Sequence, residues 1–325
     1  MELPSGFRMR PAQDEDAETV AAFSNEESVA SIGVPVLNAE WLQRRWSAPG
    51  VDRELDVAVV ESPEGEVCGF LQVGAEPPFA QVLSLGIVAP AFHGRGVGSA
   101  IVSECERRAQ RFEELAGPTA QVVMHAAALA DEPKAGALLA SRGYREVRRF
   151  ELRRVDFAAE PALPADVDGI TIRGFRAEEA HQLYEAHVEA FADHWGEGEE
   201  SYEDFRHHHL DTPEHDADLW FGAWAGDELA GYVGALDEAR EDPARGYVSL
   251  LGVRRVYRRR GIGEALLLRA FRALYDRGRT GVDLHVDTDS LTGATRLYAR
   301  VGMTAFPRFA TWEKELRPAR RREAG

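Results

Sequence analysis

The stretch VSLLGVRRVYRRRGIGEALLLRAF, residues 248–271, decides the fold. Its opening residues are apolar and β-favouring, which predicts a strand over Tyr247–Val253. From Gly263 onward, Leu266, Leu267, Ala270, Phe271 and Leu274 recur at helical spacing and predict a helix over Gly263–Arg277. Between strand and helix lies a basic loop, Arg258-Arg259-Arg260-Gly261-Ile262-Gly263. The two glycines put no side chain in the way of a ligand approaching the backbone. The first helical turn adds unpaired N–H groups and a partial positive charge. Three arginines raise the local potential in a chain whose net charge is −17. This order of elements suits a diphosphate. Two other phosphate loops do not fit, because the dinucleotide fingerprint requires G-x-G-x-x-G and the P-loop lysine is missing.

Working outward, the same landmarks occur twice. GFRMRPAQDEDAETVAAF (6–23) and GITIRGFRAEEAHQLYEAHVEAF (169–191) each read as a short strand ending near an arginine, Arg10 or Arg173, before an acidic helix start; the arginines are offset by 163. The loops HGRGVG (93–98) and RRRGIG (258–263) are offset by 165, and LLASRGY (138–144) and LYARVGM (297–303) by 159. Between the copies, FAAEPALPADV (157–167) has no helical or strand periodicity and reads as a linker. The chain therefore divides into domains at 1–156 and 168–325. The second half predicts strands at Leu219–Ala225 and Glu228–Leu236, joined by a Gly226-Asp227 hairpin turn, then strand Gly281–Val286 and helix Gly293–Arg300. The first half predicts strands Asp56–Glu61, Glu66–Val73, Gln81–Val88 and Gln121–His125, with helices Gly98–Phe112 and Ala135–Ser141. Each half is a mixed α/β (α+β) domain with a sheet covered by helices.

Arg258–Gly263 resembles the R/Q-x-x-G-x-G/A motif of the GNAT superfamily of N-acetyltransferases, whose loop holds the coenzyme A pyrophosphate. The strand before it resembles the one whose backbone pairs with the pantetheine arm. HVDTDSLTGATRLYARVGM (285–303) resembles the second family motif, in which a helix tyrosine stands beside the thioester sulfur. The tandem arrangement is similar to that of the mycothiol synthases and related bacterial two-domain acetyltransferases. The resemblance implies two GNAT domains, each with a mixed, mostly antiparallel sheet, and acetyl-CoA as co-substrate without a metal. It implies coenzyme contacts at Leu251, Gly252, Val253, Arg258, Arg259, Arg260, Gly261, Ile262, Gly263 and Glu264. Ser290 joins them, standing near where the family commonly has asparagine. In the first copy the matching positions are Gly86, Ile87, Val88, His93, Arg95, Gly96, Gly98 and Ser99.

The halves differ where chemistry would occur. Tyr298 in the second copy faces Leu139 at the matching place in the first, and leucine can neither donate a proton nor a hydrogen bond to a leaving thiolate. His93 also replaces the first arginine of the loop. The second copy is thus expected to carry the reaction, with Tyr298 assisting sulfur and the first copy degenerate. For the base, Asp237 and Glu238 end one strand and Asp287 the next, and any of them could act through water. In this fold the segment after the first strand builds the acceptor pocket, which brings forward Asp193 for a cationic amine, His194, and Trp195 as an apolar wall. His207, His208 and His209 lack the i, i+4 spacing of a helical zinc pair.

The acidity, spread over both halves, argues against nucleic acid as a partner. Cys68 and Cys105 have no metal spacing and make no disulfide framework. No apolar run reaches the ~18 residues of a membrane span. The start lacks a secretory signal, so a cytoplasmic location is expected. The resemblance implies a small-molecule amine as acceptor, with monomer and homodimer both open. Two other functions stay open: a coenzyme A-binding sensor without turnover, and an acyltransferase with a different donor. The tail RPARRREAG (317–325) reads as a flexible end.

Overall fold

The computed structural model describes residues 2–48, 50–129, 132–192, 201–239, 242–288 and 294–319. In chain order the first half holds β1 (Arg8–Pro11), α1 (Asp16–Ile32), α2 (Ala39–Trp46), α3 (Arg53–Asp56), β2 (Val57–Glu61), β3 (Val67–Gly74), β4 (Gln81–Val88), α4 (Val97–Leu115), β5 (Val122–Leu129), α5 (Pro133–Ser141) and β6 (Arg145–Asp156). The second holds β7 (Thr171–Gly174), α6 (Ala180–Phe191), α7 (Tyr202–Phe205), β8 (Trp220–Ala225), β9 (Glu228–Leu236), β10 (Gly246–Val253), α8 (Ile262–Asp276), β11 (Gly281–Asp287), α9 (Ala294–Arg300) and β12 (Thr304–Arg317). No described helix is long and apolar enough to cross a membrane.

The two compact units are Met1–Phe150 with Pro307–Gly325, and Glu151–Phe306. This differs from a cut at the 157–167 linker. The first unit takes its closing strand from β12, which runs antiparallel to β5 from Phe309↔Leu129 to Arg317↔Val122. The second takes the end of β6, which lies beside β11. Arg317 at the end of β12 donates to the carbonyls of Gly117 and Ala120 behind α4, and residues 320–325 of the tail lie outside the described residues.

Within the first unit, β1 to β4 are antiparallel neighbours and β4 is parallel to β5. A strand shows alternate residues to opposite faces. The space beside Gly69 is filled by Val97 and Ile101 of α4, while Phe70 packs on Trp46 of α2. In the second unit β7 to β10 are antiparallel neighbours and β10 is parallel to β11. Val233 of β9 joins a core with Leu266, Leu267, Phe271 and Leu274 of α8. Its neighbour Tyr232 joins a second core with Leu183 and Ala186 of α6. Thus α8 and α6 cover opposite faces. Each fully buried leucine or phenylalanine stabilises the unit by roughly 1.5–3 kcal/mol.

The repeat extends to single hydrogen bonds. Arg10 donates twice to Asp16 (2.6 and 2.8 Å), and Arg173 twice to Glu179 (2.9 and 2.6 Å). The same carboxylates accept from the backbone N–H of Gln13 and Arg176. Arg173 holds the Glu179 carboxyl below its usual range.

Candidate active site

The glycine loop is built alike in both copies. Gly261 and Gly96 precede their helices with φ of 86° and 88°, in the left-handed region that side chains disfavour. Arg258 donates from Nε to the Val253 carbonyl (3.0 Å), and His93 Nε2 meets the matching Val88 carbonyl at the same distance. Histidine therefore replaces arginine in bracing the loop. Arg258 also donates to the Ala190 carbonyl, and Arg260 to that of Asp168 (2.7 Å). Arg259 holds φ of 63°, where the first copy has Gly94 at 75°. Among the described residues its guanidinium has no hydrogen-bond or ion-pair partner, so it is the arginine left for an anion.

The side chains at other expected coenzyme contacts are taken up within the protein. Ile262 is in the core, and Glu264 receives Arg300 of α9 at 2.8 Å. A Cβ on Gly263 would stand 3.0 Å from Leu297 Cδ2, so this glycine serves the contact of α8 with α9. Leu251 and Val253 face the α8 core, while Gly252 lies under the Tyr232 ring. The unpaired N–H groups at the start of α8, with Arg259 beside them, fit a diphosphate. Ser290, Asp193, His194 and Trp195 lie outside the described residues.

The strand gap beyond the loop separates the copies. The parallel pairing of β10 with β11 ends at Tyr247↔Asp283. A register shift between Val248 and Leu250 leaves Ser249 out of the ladder with β9, and its hydroxyl turns to the Gly234 carbonyl. The matching β4 pairs with β3 without a shift and stays paired with β5 as far as Ser84↔Ala126, two residues further. There the Ser84 hydroxyl donates across the gap to the His125 carbonyl at 3.0 Å. A cavity of about 450 Å³ remains beside this loop, lined by Gly86, Val88, His93, Gly96, Gly98 and Ser99 among others.

Around the second gap stand polar groups that the first lacks. Tyr298 is buried on the α8 face, and burial pushes its phenol up to about 12 against the opposing charge of Arg153; Tyr247 raises it further. Tyr247 of β10 and His285 of β11 meet at 3.0 Å, hydroxyl to Nδ1. By the repeat offsets, Tyr247, His285 and Tyr298 match Val82, Ala126 and Leu139. Tyr247 and His285 were not expected from sequence, because the two strands that join them are 38 residues apart.

Asp237 and Glu238 do not reach this gap. Leu236 pairs with Tyr247, so both carboxylates lie beyond the closed end of the β10–β11 pair. Arg279 takes Asp237 with two bonds of 2.9 and 2.6 Å and stands 3.6 Å from Glu238. A carboxylate held in this way is not free to turn to the gap. Asp287 is buried at the end of β11. On the α6 face, the buried His187 and Tyr232 share a bond of 2.7 Å. His207, His208 and His209 fall in a π-helical turn, and no group of three or more potential metal ligands occurs among the described residues.

The acetyltransferase (GNAT) family pattern matches residues 180–303, and a second acetyltransferase (GNAT) domain pattern matches 7–145. The chain belongs to the GNAT acetyltransferase family. It is an N-acetyltransferase with two GNAT copies in tandem. It is 29% identical to the mycothiol acetyltransferase of Nocardia farcinica over 296 residues, 88% of either chain. It is 32% identical to that of Parafrankia sp. over 267 residues, covering 72% of this chain and 75% of the relative. Among solved structures, a GCN5-related N-acetyltransferase from Sphaerobacter thermophilus aligns over 98% of both chains with a TM-score of 0.86 and 30% identity. A tandem GNAT protein from the clavulanic acid biosynthesis pathway covers 97% of this chain at a TM-score of 0.71 and 18% identity, a likeness of fold. In both GNAT copies of this chain the loop is kept, and the strand gap and its side chains are what diverge.

Proposed function

We propose that the second GNAT copy transfers the acetyl group of acetyl-CoA directly to the amine of a small molecule, and that the first copy does not turn over. The observation that carries this is the gap of β10 and β11, which begins past Tyr247↔Asp283 beside the register shift in β10 and is bordered by Tyr247, His285 and Tyr298. The first copy has Val82, Ala126 and Leu139 there, behind the Ser84 bond.

An alkyl ammonium of pKa ~10.4 is about one-thousandth neutral near pH 7.4, so freeing its lone pair costs ~4 kcal/mol. The thioester supplies an activated acyl group. Tyr298, kept protonated by burial, donates to the sulfur as the C–S bond breaks. A residue outside a strand ladder, such as Ser249, can turn its N–H to the oxyanion that develops at the carbonyl. The start of α8 and Arg259 hold the diphosphate, and no covalent enzyme intermediate is needed. The cavity beside the first loop supports a first copy that still admits a coenzyme A arm.

The relatives' names put the precursor amine of mycothiol first among acceptors to try. Thiol release from acetyl-CoA with a panel of amines, that precursor and glucosamine included, tests the reading. Tyr298→Phe keeps the ring and removes the hydroxyl, so kcat should fall ~10²–10⁴-fold with coenzyme affinity little changed. Wild-type turnover by this variant would count against Tyr298 as the donor to sulfur.

A further inference from the structure

We infer that Tyr247 and His285 form the pair that takes the proton from the acceptor amine. The inference rests on acetyl transfer by the second copy and names a base in place of Asp237 and Glu238, which Arg279 holds away from the gap. The parallel ladder ends at Tyr247↔Asp283, so the 3.0 Å contact between Tyr247 Oη and His285 Nδ1 spans the two strands where they part. Val282, Leu284 and Val286 of β11 point into the core beneath α8. Strand alternation therefore turns Asp283, His285 and Asp287 to the opposite face, the face covered by α6. Tyr298 approaches from the α8 side. The gap is thus bordered by a proton donor on one face and an imidazole on the other.

Three carboxylates and one histidine are committed elsewhere. Asp237 and Glu238 belong to Arg279. Asp283 is fully buried and receives Arg154 (2.9 and 2.6 Å) and Arg245 (2.9 Å). His187 is bonded to Tyr232, whose ring lies over Gly252 at the loop end of β10. On the face that His285 shares lie Tyr247 of β10, Arg154 of β6 and Arg245 on Asp283, Asp287 of its own strand and His187 of α6, with Arg153 and Tyr298 on the α8 side. The two arginines on Asp283 leave no net negative charge at that carboxylate.

The protons balance as follows. The ammonium gives a proton to Tyr247 Oη while the tyrosine's own proton passes to His285 Nδ1. The freed lone pair forms the C–N bond at the thioester carbonyl. The C–S bond then breaks, sulfur leaves with the electron pair, and Tyr298 protonates it. The second proton shed by nitrogen restores Tyr298, and the imidazolium returns its proton to solvent.

The test is kcat/KM against pH for thiol release by the full chain, using whichever amine of the panel turns over, with coenzyme A affinity measured in parallel by calorimetry. The wild-type rate should rise with pH along a limb set by loss of a proton from His285, because only the neutral ring accepts a proton. His285→Gln should lose that limb and ~10²–10⁴ in rate at neutral pH while binding coenzyme A as before. Tyr247→Phe, which keeps the ring, should lose roughly tenfold or more and shift the same limb. A packing role would lower stability or affinity and leave the limb in place. Wild-type rates and an unmoved limb in both variants would overturn the pair. A wild type that binds coenzyme A but acetylates no amine would overturn the transfer reading itself, and the pair with it.

Discussion

Arg259 holds a backbone conformation that an arginine adopts only at some expense. At φ of 63° it sits in the left-handed region, which costs a side chain roughly 1–2 kcal/mol, and the first copy places Gly94 at the equivalent point. Arg258 and Arg260 spend their guanidinium groups on carbonyls of the protein. Strain of this kind persists where function requires it. Arg259→Gly should therefore raise stability by roughly 1 kcal/mol, about 2–4 °C in Tm, while weakening coenzyme A binding severalfold. Thermal melts and calorimetry read both effects together; unchanged affinity would exclude Arg259 as the anion ligand. In the sequence the three arginines are indistinguishable, since backbone angle and carbonyl partners separate them. The same limit applies to Asp237, a plausible base until Arg279, 42 residues later, is seen to hold it. The motif that singles out Tyr298 is local, so it can be read without the fold.

At the scale of elements, the helix pair α8–α9 positions that tyrosine. Gly263 leaves room for Leu297, the residue before Tyr298, and Glu264 ties the same helices through Arg300. Gly263→Ala crowds the tip of Leu297 and should lower kcat severalfold, since even small displacements of the proposed donor to sulfur are costly. The matching Gly98→Ala meets Leu138 at 3.4 Å, an ordinary contact, and should change stability by less than about 0.5 kcal/mol. Steady-state rates and urea melts of the two variants check this, and equal effects at both glycines would refute it. Helices α4 and α8 were readable from one apolar face each, and the Gly226-Asp227 hairpin from its turn residues. Strand β6 was not, because REVRRFELRRVD hides its pattern under arginines that find buried partners. The shift in β10 was equally invisible. Register belongs to a pair of strands, and the serines that mark the difference, Ser84 and Ser249, are the same residue type.

For the molecule as a whole, the linker is a break in sequence that the compact units do not follow. The end of β6 belongs with the second unit, and its contacts there are specific. Arg154 joins Arg245 on the fully buried Asp283, while Arg245 also bonds Asp156 (2.6 Å) and the Val155 carbonyl (2.7 Å). Arg153, beside Tyr298, comes from the same strand. A fragment of residues 168–325 would lose every contact that β6 supplies. It would keep one arginine on a buried carboxylate that the folded chain pairs with two, and the edge of β11 would lose its neighbour. Removing one partner of a buried ion pair costs ~3–5 kcal/mol, a large share of the ~5–15 kcal/mol that typically separates folded from unfolded. Arg154→Ala in the full chain should accordingly lower the unfolding free energy by about 3 kcal/mol in urea melts. The 168–325 fragment should show no cooperative melt alone and should regain one when produced together with residues 1–167, which return β6. If the fragment alone melted cooperatively near the Tm of the full chain, β6 would be dispensable to the second unit, and Arg153 would be unnecessary beside Tyr298.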